Sequence, residues 1–245
     1  MARSVFGRQI QALARAGWKA LTLEQFADRL RFGDSAFRTP HSEFLLTFDD
    51  GLSSLAVHVY PLLADLAITP TTFLVTDFVG RANTWDIRYT WRRERHLDWP
   101  TVERWAARGF DFQSHTASHA RLTWLPDAQA AAELVRSRAA LVERLGPRGG
   151  VAVAYPFGAY DARIGRLARA AGYCLGFGSA GGPLADALAL SRVPVYMWDA
   201  WDVPFGLRTD TLGGLGRWVA GVANRCAVGT SAMKAVRRKT APPPE

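Results

Sequence analysis

Two consecutive carboxylates, Asp49 and Asp50, and two imidazoles four residues apart, His115 and His119, are the side chains of this sequence best suited to hold a cation. Histidines at that spacing can face one ion, either across one helical turn or as a strand end plus the turn after it. A single carboxylate then completes a three-ligand set that leaves positions open for water and substrate. Adjacent side chains in extended backbone point apart. Asp49 and Asp50 can therefore differ, one binding the ion while the other takes a proton from an attacking water as general base. The spacing leaves open which does which. A paired Asp before Gly51 is by itself an ordinary turn signal, so the chemical reading rests on the clusters together, including a third one at Tyr155-Pro156-Phe157-Gly158.

Each cluster follows a short apolar run that reads as a buried strand. Residues 44–48 lead to Asp49-Asp50-Gly51, residues 110–114 lead to His115, and residues 151–155 lead to Pro156. Between and beyond them the pattern alternates. The first helix includes Phe6 and Ile10 and stops near Gly17; a second spans 23–30, capped by Thr22. A helix capped by Ser53 or Ser54 is expected to reach about Ala67, followed by a strand at 71–75 and helices at 101–108, 126–145 and 161–171. Further strands are expected at 173–177 and near 190–196. Repeated βα units build a parallel sheet, and their number suits a closed or nearly closed barrel. In such folds the working residues lie at the C-terminal ends of the strands, where all three clusters fall.

The chain has 245 residues, 49% of them apolar and 11% aromatic, which suits one large core and one domain. The expected bounds are 1–236 for the domain and 237–245 for a basic, Pro-rich, disordered tail. A net charge of +8 arises from 30 basic against 22 acidic residues spread along the chain. No nucleic-acid module accompanies it, so a solvated basic surface is the expectation and nucleic acid is not an expected partner. Cys174 and Cys226 are too few for a disulfide framework and are expected to be free and buried. Residues 2–20 are broken by Arg3, Arg8, Arg15 and Lys19, and no segment approaches the ~20 apolar residues of a membrane span. That favours a cytoplasmic location without stable membrane insertion; a start site further upstream would instead allow a secreted or peripheral protein. The sequence carries no signal for an oligomeric state.

The three clusters together resemble the polysaccharide deacetylases of the NodB-homology type, carbohydrate esterase family 4. The matching motifs are Thr47 to Gly51 (T-F-D-D-G), His115 to His119 (H-T-x-x-H), and Ala154 to Gly158 (A-Y-P-F-G) with Tyr160-Asp161. Pro61, the Thr72 to Val75 strand, Leu122-Thr123 and Arg192-Val193-Pro194-Val195 extend the similarity over residues 6 to 200. The resemblance implies a distorted (β/α) barrel of about seven parallel strands and a divalent metal, most commonly zinc, with Co2+, Ni2+ or Mn2+ as alternatives. By motif position Asp49 resembles the general base, and Asp50, His115 and His119 the metal ligands. Tyr155 is the expected source of a backbone N–H for the oxyanion. The implied substrate is an N-acetylated amino-sugar glycan or glycolipid; O-acetyl ester hydrolysis and non-catalytic glycan binding are the rival readings.

Two departures stand out. The Leu-x-His motif whose histidine protonates the leaving amine in many members has no counterpart, since no histidine follows Arg192. Asp199, Asp202 or metal-bound solvent would have to supply that proton. The opening strand with a Tyr-His pair found in many relatives is also missing. Between strands, the stretch 81–100 carries Trp85, Tyr89, Trp91 and Trp99 among arginines, a composition that suits either a sugar platform or a packed lid. Pro156, Trp85 and Asp199 are the expected substrate-contacting residues.

Overall fold

A computed structural model of the chain describes residues 3–31, 43–84, 94–178 and 186–195. Six parallel strands form one curled sheet whose spatial order follows the chain: β3 (Thr47–Phe48), β4 (Thr71–Leu74), β5 (Asp111–Ser114), β6 (Ala152–Ala154), β7 (Leu175–Gly178) and β8 (Leu190–Ser191). A parallel pair, β1 (Lys19–Leu21) and β2 (Glu43–Leu45), precedes it. Only Leu46 separates β2 from β3, so one nearly continuous strand pairs with β1 through its first half and with β4 through its second. The architecture is the α/β distorted barrel expected. β1 is a strand that sequence patterning missed, being three residues long with too little length to show a period.

Helices α1 (Arg3–Arg15), α2 (Leu23–Arg31), α3 (Tyr60–Asp65), α4 (Trp99–Ala106), α5 (Asp127–Leu145) and α6 (Ala162–Ala170) alternate with the strands. Their starts follow from local chemistry. Thr22 Oγ1 accepts from the Gln25 N–H at 3.2 Å while Gln25 Oε1 accepts from the Thr22 N–H at 3.0 Å, a reciprocal cap on α2. Asp98 caps α4 by accepting from Thr101 N at 3.0 Å, so this helix begins two residues before the expected 101. Asp161 caps α6 through Ile164 N at 2.8 Å.

The expected serine-capped helix before Ala67 starts differently. Ser54 makes no side-chain cap bond, and a π-helical turn, Leu55–Val59, runs into α3. Pro61 has no N–H, and its ring crowds the carbonyl four residues earlier. The turn before it widens, and Tyr60 N donates to Leu55 O, five residues back. The strand expected near 190–196 is only two residues long, because Pro194 cannot donate to a ladder and Arg192 is turned to a different task described below.

Tyr60 centres the largest apolar cluster, with edge contacts to Trp105 at 5.2 Å and Phe110 at 5.1 Å and a 2.8 Å hydroxyl bond to Thr72 on β4. β4 is buried along its whole length, Leu74 packing in this cluster and Phe73 in a second one with Phe177 and Leu190. Cys174 is free as expected but exposed rather than buried, since the turn at Gly172 directs Tyr173 inward and its neighbour out. Among the described residues no helix is long and apolar enough to cross a membrane. Cys226, Tyr196 and the tail at 237–245 lie outside them.

Candidate metal centre

The strand ends converge as the motif spacing anticipates. Asp49 and Asp50 leave β3, His115 leaves β5, and His119 lies four residues further on. Asp50 Oδ1 stands 3.6 Å from His115 Nε2 and 3.4 Å from His119 Nε2, and the three ligand atoms lie within 4.8 Å of one another. Around a tetrahedral zinc with bonds of about 2.0–2.1 Å, ligand atoms are separated by roughly 3.3 Å. The two measured edges fit that spacing. His115 Nδ1 donates to the Ala154 carbonyl at 2.8 Å, and a carbonyl can only accept, so the lone pair of the neutral ring is on Nε2 and faces the Asp50 carboxylate. Two electron-rich atoms held face to face favour a cation between them. The donor set suits a divalent ion.

Holding this arrangement requires unusual backbone. Asp50 (φ 69°), Thr116 (φ 65°), His119 (φ 58°) and Phe157 (φ 62°) all occupy the left-handed region, where non-glycine residues are uncommon and which is found at sites whose surroundings enforce it. At Gly51 (φ 63°) a Cβ would fall 2.3 Å from Leu74 Cδ2, so a larger residue would both strain the backbone and displace that side chain. The turn before His119 is clamped by Glu133 on α5, whose carboxylate accepts from Ser118 N and from Ser118 Oγ, both at 2.8 Å. The Asp50 turn is held by the chain returning from the insertion. Leu97 N donates to Gly51 O at 2.8 Å, and His96 Nδ1 donates to Asp50 O at 2.7 Å.

His96 is only 3% exposed and packs 5.6 Å from Phe78, so a phenylalanine would keep its shape and remove the bond to Asp50. Groups that orient a metal ligand typically contribute 10–100-fold to affinity. His96→Phe is therefore expected to weaken zinc binding about 10-fold, read by competition with a chromogenic chelator. An affinity within twofold of the parent would show that the turn holds without it.

Asp49 points to a different partner. Arg192, just past β8, donates to both of its oxygens, at 2.6 and 2.8 Å, and reaches Thr47 Oγ1 at 3.4 Å. Among the described residues, strands β3 and β8 are the two edges of the six-stranded sheet, so this fork joins them and shows how far the sheet has curled. Asp49 Oδ2 also lies 3.9 Å from His115 Nε2, outside the Asp50-His115-His119 group itself. Burial pushes the Asp49 carboxyl up, but the charges of Arg192, His115 and His119 and the Arg192 hydrogen bonds outweigh it and hold the group well below the usual carboxylate range.

The other expected site residues fare less uniformly. Tyr155 N donates to Phe177 O at 2.8 Å and its hydroxyl to Leu188 O at 2.9 Å, so this residue is tied into the sheet at both ends. The expected oxyanion donor is thus already engaged within the fold. Pro156 is buried beneath its turn, and the half-buried Phe157 is the side chain of that motif that meets the centre, 4.9 Å from the His119 ring. Trp85 and Asp199 lie outside the described residues, as do Tyr89, Trp91 and Asp202. Sequence reasoning gave no role to Arg192, His96, Glu133 or Phe157. Arg192 and Phe157 do stand within the R-V-P-V and Y-P-F-G segments that carried the resemblance.

Residues 37–176, more than half of the chain, match the family model described as polysaccharide deacetylase. The chain belongs to the polysaccharide deacetylase family. Among its relatives is YxkH of Bacillus subtilis (strain 168), named for this same family, at 26% identity over 132 residues. That match takes in 54% of this chain but only 43% of YxkH, so the chain spans less than half the length of this curated relative. IcaB from Ammonifex degensii is similar in structure with a TM-score of 0.68 and 25% identity, over 81% of this chain and 86% of IcaB. The Streptococcus pyogenes deacetylase PplD, solved in complex with acetate, superposes with a TM-score of 0.62 at 22% identity over 74% of each chain and shares the fold. In this polysaccharide deacetylase family member, the matched segment contains the Asp49-Asp50 turn, both histidines and the Tyr155 to Gly158 turn.

Proposed function

We propose that this chain hydrolyses N-acetyl groups of amino sugars in a glycan or glycolipid, using a divalent metal ion, most commonly zinc in such donor sets. The observation that carries the reading is the Asp50-His115-His119 group at zinc-like spacing, with a second carboxylate, Asp49, 3.9 Å from one of its imidazoles and held by a bidentate arginine. A bound ion would polarise the acetamide carbonyl and bring the pKa of a water down to roughly 7. Asp50, His115 and His119 would hold it, and the Ala154 carbonyl, by accepting from His115 Nδ1, turns the other imidazole nitrogen toward it. Asp49 takes the proton of the attacking water. Its low basicity, set by Arg192, keeps it ionised and ready across the neutral range. Arg192 fixes the angle at which the carboxylate meets the water, and Phe157 packs against His119 to keep that ring in place.

The test is acetate release by purified, metal-analysed protein from N-acetylglucosamine oligomers, peptidoglycan and acetylated xylan. Release from the amide substrates that disappears with a chelator and returns with zinc supports the reading. Release from the xylan ester alone would replace amide hydrolysis with ester hydrolysis, and sugar binding without any release would leave a glycan-binding protein.

A further inference from the structure

The turn that follows His119 carries an indole out into solvent. Trp124 ends the short 3-10 turn Leu122–Trp124 and is 51% exposed, although tryptophan is highly buried on average. The exposure is built in. Leu122 beneath it is 1% exposed and anchors the turn in the core. Arg163 on α6 donates to the carbonyls flanking the indole, to Leu122 O at 3.3 Å and Leu125 O at 3.1 Å, and is itself fixed by Asp127 at 2.8 Å. The backbone under the indole therefore cannot easily swing to bury it.

The indole is also connected to the candidate centre. The Arg121 guanidinium lies 4.9 Å from the Trp124 ring centroid and 5.9 Å from that of Phe157, which in turn packs 4.9 Å from the His119 ring. Planar groups thus line the path from a candidate metal ligand to an exposed aromatic surface. Arg121 is drawn toward one side of the indole by the negative potential of the ring face. A sugar ring presents the matching chemistry for such a surface, with axial C–H bonds whose positive ends meet the same potential and an apolar face that gains from leaving water.

We propose that Trp124 is the platform for a sugar ring beyond the one that carries the reacting acetyl group, so that the site selects oligomeric over monomeric substrate. This rests on the glycan reading above. A rigid platform contributes affinity because little ordering is needed when the ligand arrives.

The experiment measures binding without turnover, by calorimetry on zinc-loaded Asp49→Asn protein, with a β-1,4-linked N-acetylglucosamine tetramer and with the monosaccharide as probes. Adding Trp124→Ala is expected to weaken tetramer binding about 10-fold and to leave the monosaccharide affinity where it was, in line with the cost of truncating an aromatic anchor. Trp124→Phe, which keeps a ring face, should retain affinity within about threefold. Equal tetramer affinity with and without the indole overturns the platform, as does an absence of tetramer binding at millimolar concentration. The two failures separate cleanly. Protein that binds tetramer through Trp124 yet releases no acetate in the Asp49-containing form sinks the deacetylase reading alone, whereas acetate release with tetramer binding indifferent to Trp124 sinks the platform alone.

Discussion

Asp49→Asn is expected to lower the rate of acetate release about 1,000-fold while leaving the metal bound, because a positioned general base contributes roughly 100- to 10,000-fold and Asp49 is not one of the three clustered ligands. Asp50→Asn should do the reverse in order of cause, losing metal first and activity in consequence. Bound zinc per chain and single-turnover acetate release, measured on both variants, distinguish the two carboxylates. If Asp49→Asn loses its zinc and Asp50→Asn keeps it, the roles are exchanged. The asparagine also deprives Arg192 of its charged partner. Asp50 remains as a weaker counter-charge, so the variant should also melt a few degrees below the parent, roughly the shift expected for 1–2 kcal/mol in a domain of this size.

Arg192→Met is the second large effect. Removing the fork frees the base to rotate, and about a 100-fold loss in kcat/KM is expected for misplaced catalytic geometry. The pH profile carries the diagnostic sign. With Arg192 present, Asp49 is held below the usual carboxylate range and stays ionised as pH falls through that range. Without it, the charge that lowers the pKa is gone while burial, which raises it, remains. The acid limb of kcat/KM should therefore move to higher pH in Arg192→Met. Arg192→Lys keeps a positive charge but not the two parallel bonds, so it should lose rate while its acid limb stays near the parent's. Profiles of all three between pH 4 and 8 check this, and an unmoved limb in the methionine variant would mean that Arg192 does not set the basicity of Asp49. The same linkage fixes the stability trend. A carboxylate with a depressed folded pKa stabilises the fold above its unfolded value and loses that contribution as acid protonates it.

Much of this is legible in the sequence alone. Strands β3 to β7 declared themselves as short apolar runs, and the polar clusters at their ends declared the candidate centre. Thr22 and Asp161 were readable as helix starts because capping depends on residues three apart. What was not legible depended on distance or on crowding. The Asp49 and Arg192 pair is separated by 143 positions, and the R-V-P-V segment around Arg192, though it carried part of the resemblance, does not show which carboxylate the guanidinium meets. The π-helical turn before α3 follows from a clash that composition does not display, although Pro61 was in view. The expectation for the Tyr155 N–H rests on motif position, whereas its bond to Phe177 depends on a strand pairing that the motif does not display.

The sheet adds its strands in chain order, yet the ends of that series meet through Asp49 and Arg192. A chain emerging during synthesis can stack β4 on β3, then β5, β6 and β7, with the candidate metal ligands already assembled. Asp49 receives its guanidinium only when β8, the last described strand, is in place. In the mechanism proposed above, loosening of that edge alone would withdraw the guanidinium from Asp49 while the Asp50, His115 and Ser118 turns keep their own anchors.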